Sequence, residues 1–114
     1  MSLLHLSAVA MSVTALAHSV VGEARLISPL LERRIDLLSG HGANLVRFAW
    51  HFTSLLMLAT ALVVGWPGTP GPVVTTTGAL WLLAGVLDAV LTRGRHIGWP
   101  LLSAAGVLAL VGAT

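Results

Sequence analysis

The chain of 114 residues contains no cysteine and no tyrosine, and only 9% of its residues are charged. Without cysteine, disulfides, thiolate metal ligands and cysteine nucleophiles are excluded. A soluble domain carries about 25% charged residues, whereas this chain is 56% hydrophobic with a mean hydropathy of +0.93. The shortage of charge therefore indicates a protein that lies in lipid rather than in water.

Long basic runs and catalytic motifs are also missing. The sequence pI of about 11.3 rests on six basic residues against four acidic ones. The longest basic run is Arg33-Arg34, which excludes a nucleic-acid-binding face. The order of residues shows no glycine-rich phosphate loop, no Ser-His-Asp arrangement and no paired carboxylates. The sequence thus gives no basis for a hydrolase or a nucleotide-dependent enzyme, and we expect a non-catalytic protein.

Apolar runs separated by turn signals predict an all-α fold. We predict that residues 1–114 form one integral-membrane domain, a polytopic transmembrane bundle of four helices. The motif Ser28-Pro29 is typical of a helix start and predicts a short interfacial helix between the first two crossings. The segment WPGTPGP breaks the chain between the second and third crossings. The crossings are expected at about 2–22, 45–65, 73–92 and 98–113, and the interfacial helix at about 29–39.

The arginines predict the orientation of the bundle. They flank the first and third connections, and none flanks the second connection or either terminus. By the positive-inside rule, the arginine-bearing connections face the cytoplasm and both termini face outward. The use of arginine without lysine favours a bacterial origin, and hence the bacterial inner membrane. Trp66 and Trp99 fall at predicted helix ends, where we expect them to act as interfacial anchors.

Ionisable side chains within the predicted crossings are the candidate functional residues, because such groups are costly in a bilayer. His18, His51 and Asp88 are each expected in the inner third of the membrane, on three different helices. If they converge, they form a ligand set for a divalent transition metal, with Glu23 or Arg47 at its mouth.

Other interpretations of the same residues remain open. His18 and His51 are also candidates for binding a haem or chlorin, or for a proton or cation pathway that includes Asp88. Alternatively, the two histidines are ordinary polar contacts between helices, and Asp88 pairs with Arg47 or Arg93.

Glu23 follows His18 by five residues, which places the two side chains about 140° apart on a straight helix. We therefore do not expect them to form a pair. Glu23 is better interpreted as an interfacial charge that balances Arg25 or Arg47, with Arg47 the charge partner on the next crossing.

The combination of HSVVGEARLISPL with RFAWHFTSL resembles a group of small bacterial four-helix membrane proteins. The resemblance covers residues 1 to 65 and runs through His18, Gly22, Glu23, Pro29, Arg47 and His51. It implies a role for His18, Glu23 and His51, but it carries over no activity.

We therefore expect a small non-catalytic membrane protein in contact with the lipid bilayer. It would be an accessory or assembly subunit of a larger membrane complex, or a homo-oligomer. The alternatives are a metal- or tetrapyrrole-binding protein that uses His18 and His51, and a proton or cation pathway through His18, His51 and Asp88. A drug-exporting dimer is the poorest interpretation, because the first helix has no mid-membrane glutamate.

Overall fold

A computed structural model describes residues 1–33 and 36–114, and the regular elements in these ranges are all helical. The prediction of an all-α fold is therefore confirmed, with four principal helices. A π turn (Glu23–Ile27) and a short 3-10 turn (Asp36–Leu38) lie between the first and third helices. The helices are α1 (Leu3–Gly22), α2 (Ser28–Glu32), α3 (His41–Gly65), α4 (Gly71–Leu91) and α5 (Gly98–Gly112).

The first helix is longer than the sequence suggests. It runs without interruption from Leu3 to Glu32, through the π turn and into α2. Ser28 has helical backbone angles, φ −58° and ψ −49°, and its hydroxyl bonds to Glu23 instead of capping a new helix. Pro29 has no N–H to donate to the preceding turn, and the wider π turn lies directly before it.

A separate helix is predicted at about 29–39. Its first residues, 29–32, instead extend the first helix. Residues 36–38 of that prediction form the 3-10 turn, and Arg34 and Ile35 lie outside the described residues.

In the bundle, α1 lies between α3 and α5, and α4 packs mainly on α5. Ser7 on α1 donates its hydroxyl proton to the carbonyl of Ala105 on α5 at 2.8 Å. Trp81 on α4 donates its indole N–H to Thr60 Oγ1 on α3 at 3.0 Å, across an otherwise sparse contact. The buried apolar core consists of Met11, Ala61, Val64, Val74, Trp81, Ala105 and Ala109.

Small residues allow α4 and α5 to approach closely. A Cβ on Gly106 would lie 2.5 Å from the backbone nitrogen of Leu82 and 2.7 Å from the carbonyl oxygen of Gly78. Gly85 likewise lies against the backbone of Ser103. Small residues at such contacts are the usual means of close helix packing in membranes, where lipid is as apolar as the side chains.

Three helical segments are long and apolar enough to cross a membrane: Leu3–Glu32, His41–Gly65 and Gly71–Leu91. The fourth, α5, has only 15 residues, which corresponds to about 22 Å against a hydrocarbon core of about 30 Å. Large apolar side chains cover the outside of the bundle, including Val20 on α1 and Leu55 on α3. The composition and these surfaces together indicate a lipid environment.

Candidate functional site

Glu23 is the centre of a polar cluster at the end of the α1–α3 contact. Its Oε1 accepts hydrogen bonds from Arg47 Nε on α3 and from the Ser28 hydroxyl, both at 2.8 Å. Its Oε2 lies 3.1 Å from His51 Nε2. The Glu23 side chain is 26% exposed, so the carboxylate is partly shielded, and its charge is balanced by the Arg47 guanidinium. The proposed pairing of Glu23 with Arg47 is thus found in the structure, and no hydrogen bond joins Glu23 to His18 in the part of the chain that the structure describes.

His51 connects Glu23 to a second group on α1. Its Nδ1 lies 2.6 Å from the Ser19 hydroxyl. One neutral tautomer of His51 suits both contacts. In this tautomer the N–H on Nε2 donates to the Glu23 carboxylate, and Nδ1 accepts the hydroxyl proton of Ser19. Ser19 and Glu23 are four residues apart and therefore share a face of α1. The three side chains form a continuous hydrogen-bonded chain of hydroxyl, imidazole and carboxylate.

His18 takes part in a separate set of contacts. Its Nε2 lies 2.9 Å from Thr53 Oγ1. Its ring stacks on the indole of Trp50, with centroids 4.1 Å apart and planes 12° from parallel. Trp50 also donates its indole N–H to the backbone carbonyl of His18 at 3.0 Å. His18 therefore stabilises the contact between α1 and α3 by stacking and by hydrogen bonding.

Gly22 makes the position of Trp50 possible. A Cβ at residue 22 would lie inside van der Waals contact with three atoms of the indole ring. Because α1 and α3 run antiparallel, the contact of Gly22 with Trp50 and that of Ala8 with Gly65 define one register. In that register Ser54 lies level with His18 and Ser19. Ser54 is 5% exposed, and its hydroxyl is the one buried side-chain polar atom in the described ranges that has no hydrogen-bond partner.

Asp88 is paired elsewhere. Its Oδ2 lies 2.6 Å from His96 Nδ1, in the connection between α4 and α5. This contact forms because the chain reverses at Arg93 and Gly94, whose φ angles are 52° and 71°. Asp88 thus pairs with a histidine of the connecting loop, and neither Arg47 nor Arg93 is its partner.

The candidate grouping of His18, His51 and Asp88 considered from the sequence is not formed. Within residues 1–33 and 36–114, no group of three or more His, Asp or Glu side chains is placed to hold a metal ion. The physical reason is that each group has another partner: Thr53 for His18, Ser19 and Glu23 for His51, and His96 for Asp88.

Sequence reasoning missed Ser19, Ser28, Trp50 and His96 as members of these clusters. A signal was present for Ser19, since its spacing of four from Glu23 is the spacing of neighbours on a helix. The partners on α3 depend on helix register, which a single sequence does not contain.

The tryptophans expected at helix ends are found there. Trp66 follows α3 directly and is 70% exposed. Trp99 lies in the first turn of α5 and donates its indole N–H to the Gly94 carbonyl at 3.2 Å.

In the comparisons with known proteins, no family model, no curated protein and no solved structure matches this chain.

Proposed function

We propose that this protein is an accessory or assembly subunit that binds a transmembrane helix of a larger membrane protein. The observation that supports this proposal is an open, largely apolar groove between α1 and α3, with a volume of about 460 Å³. Its floor contains small residues, among them Ala8, Ser12, Ala61 and Gly65. Small residues let a further helix approach closely, which is the main source of helix association within lipid.

Apart from its contact with α1, α3 makes few contacts with the bundle, which supports the same role. Its buried residues are Ser54, Ala61 and Val64, and α4 barely touches it. Large apolar side chains extend along its open sides, such as Phe48, Phe52 and Leu62. An α-helix held mainly by one neighbour has room for a second helix, and the groove beside it has the apolar character that a transmembrane helix requires.

The proposal includes a location and an orientation. We propose the bacterial inner membrane, with both termini and the connection at Trp66–Pro70 outside and the arginine-bearing connections in the cytoplasm. In this arrangement α5 completes a four-crossing bundle with some local thinning of the bilayer. The short 3-10 turn (Asp36–Leu38) then lies at the cytoplasmic interface.

Site-specific photo-crosslinking in the native membrane tests the partner. A photoreactive amino acid is placed at Leu62 or Val9, which line the groove. The matched control carries the same amino acid at Val86 or Leu87, which are exposed on α4. We expect one discrete protein adduct from the groove positions, identified by mass spectrometry as a different membrane protein, and none from the controls. Adducts to this chain alone would replace the subunit role with a homo-oligomer, and adducts to lipid alone would overturn both.

A proton or cation pathway is the second candidate, because the Ser19–His51–Glu23 chain provides exchangeable protons at one end of the bundle. Reconstituted vesicles with a pH-sensitive dye test it. If the pathway exists, His51→Gln abolishes the flux, whereas His41→Gln, an exposed histidine at the start of α3, leaves it unchanged. Equal dye traces from protein-containing and empty vesicles would remove this candidate.

Metal or tetrapyrrole binding by His18 and His51 has weaker support. Both ring nitrogens of His51 already have partners, and His18 is bonded to Thr53 and stacked on Trp50. Ligation would require these contacts to break. An absorption spectrum and elemental analysis of the purified protein test this alternative.

A further inference from the structure

We propose that Ser19 is a nucleophile, activated by His51 and Glu23, that reacts with acyl esters at the membrane interface. The inference rests on the linear arrangement of three side chains from two helices: Ser19 Oγ lies 2.6 Å from His51 Nδ1, and His51 Nε2 lies 3.1 Å from Glu23 Oε2. It goes beyond the subunit role and does not depend on it.

Hydroxyl, imidazole and carboxylate follow one another in the order that nucleophilic catalysis by serine requires. A serine hydroxyl is a weak nucleophile unless a base within about 2.6–3.2 Å removes its proton. The base must in turn be oriented by a third group, as a carboxylate does for histidine in serine hydrolases. Here the carboxylate occupies Nε2 and the serine Nδ1, so the two imidazole nitrogens have exchanged roles relative to the chymotrypsin arrangement. Triads are recognised by geometry and roles, and this arrangement gives each atom its role.

Glu23 is held in place by contacts of its own. Arg47 Nε and the Ser28 hydroxyl both bind Oε1, which leaves Oε2 for His51. Glu23, Arg47 and Ser28 are therefore positioning residues: they act through the imidazole and do not touch a substrate.

The position of Ser19 indicates the class of substrate. It lies one turn before Glu23, about 6 Å along the helix axis from the charged end of the bundle. Exposed apolar side chains flank it on α1, namely Leu16 and Val20. The hydrogen-bonded chain of Ser19, His51 and Glu23 is accessible from outside the bundle, since the His51 side chain is 37% exposed. The boundary between apolar and polar surface is where the ester groups of lipids lie, so we assign long-chain carboxylic esters as the substrate class.

The reaction balances as an acyl transfer. Ser19 Oγ forms a bond to the ester carbonyl carbon while its proton passes to His51 Nδ1. The C–O bond to the alcohol breaks, and the alcohol leaves with the proton from His51. Water then attacks the acyl-serine with the same proton transfers, releasing a fatty acid and restoring the Ser19 hydroxyl. Glu23 stabilises the imidazolium in both steps.

A long-chain alkyl fluorophosphonate on the purified full chain in lipid nanodiscs tests this inference. The reagent replaces the ester: the serine oxygen attacks phosphorus and fluoride leaves. We expect one adduct per chain, mapped to Ser19 by peptide mass spectrometry, and no adduct in Ser19→Ala. Ser12→Ala is the matched control on the same helical segment. Ser12 donates only to the carbonyl of its own helix, so its variant should label fully.

Two further variants separate chemistry from folding. His51→Ala should label about 10²-fold more slowly or worse, and added imidazole should restore labelling in His51→Ala but not in Ser19→Ala. Glu23→Gln should lower the maximal labelling rate without changing the probe concentration that gives half of that rate. An unlabelled wild-type chain, or equal labelling of wild type and Ser19→Ala, would overturn the inference. Neither result would affect the crosslinking test of the subunit role.

Discussion

The indole of Trp50 lies in the space that a side chain at residue 22 would occupy, so Gly22 and Trp50 fit together only because residue 22 is glycine. Trp50 is also held by stacking on the His18 ring and by its hydrogen bond to the His18 carbonyl. This contact sets the register of α1 against α3. That register in turn places Ser19 and Glu23 opposite His51.

We therefore predict that Gly22→Ala destabilises the protein. The new methyl group forces the indole to move, at a cost of about 1–3 kcal/mol, which the better helix propensity of alanine offsets by about 1 kcal/mol. The measurement is the free energy of unfolding in detergent. Gly71→Ala is the control, because nothing lies within 4 Å of a Cβ there. Equal stability of the two variants would contradict the account of Trp50.

A double-mutant cycle tests the bond between Arg47 and Glu23. The pair is partly exposed, at 45% and 26% for the two side chains, so we expect only a weak coupling, well below that of a buried ion pair. Arg47→Gln, Glu23→Gln and the double variant are compared by their free energies of unfolding. Arg25→Gln, an exposed change on the same π turn, should show no coupling to Glu23→Gln. Additive effects of the Arg47 and Glu23 changes would mean that the bond does not stabilise the fold.

The hydrogen bond from Trp81 to Thr60 is predicted to hold α4 against α3. Thr60→Val keeps the shape of the side chain but removes the oxygen that accepts the indole N–H at 3.0 Å. Bonds between membrane helices contribute about 0.6–2 kcal/mol, and we expect a loss in that range. Thr76→Val is the control, since Thr76 is exposed on α4. A Thr60→Val protein as stable as this control would show that the contact is dispensable.

The contact between α4 and α5 leads to a sharper prediction at Gly106. A Cβ there would collide with backbone atoms of Leu82 and Gly78, which do not rotate away as a flexible side chain would. Gly106→Ala must therefore separate the helices, and we expect a loss of about 1–3 kcal/mol in unfolding free energy. Ala104→Leu adds more volume on the exposed side of the same helix and should cost little. A larger loss of stability in Ala104→Leu than in Gly106→Ala would mean that α4 contacts the face of α5 that carries Ala104.

The helix positions were largely predictable from sequence because their signals are local. Apolar runs and the proline-rich break at 66–72 bracket α3 and α4 to within a few residues at most ends. An α-helical segment does begin at Ser28, but Ser28 does not cap it, because its hydroxyl bonds to Glu23 and the π turn joins the segment to α1 without a break. Propensity gives no warning of that tertiary contact.

The site was only partly predictable. His51, Glu23 and Arg47 were identified individually, but His51 was matched with His18 and Asp88. Its actual partners, Ser19 and Glu23, follow from a register fixed by Gly22 and Trp50. Asp88 bonds to His96, eight residues along the chain, because positive φ angles at Arg93 and Gly94 fold the connection back. The helix that carries each residue was therefore predictable, whereas the choice of partner depended on packing and turn geometry.

The orientation of the chain is testable because it has no cysteine of its own. We expect single cysteines at Pro67 and Thr114 to react with a membrane-impermeant maleimide added outside intact cells. Cysteines at Ser39 and Arg95 should react only after permeabilisation. These positions are all exposed in the structure, so a difference in labelling reports the side of the membrane. Thr114 decides the state of α5: with only 15 residues this helix needs a thinned bilayer to cross. If Thr114 labels like Arg95, α5 does not cross and the bundle has three crossings.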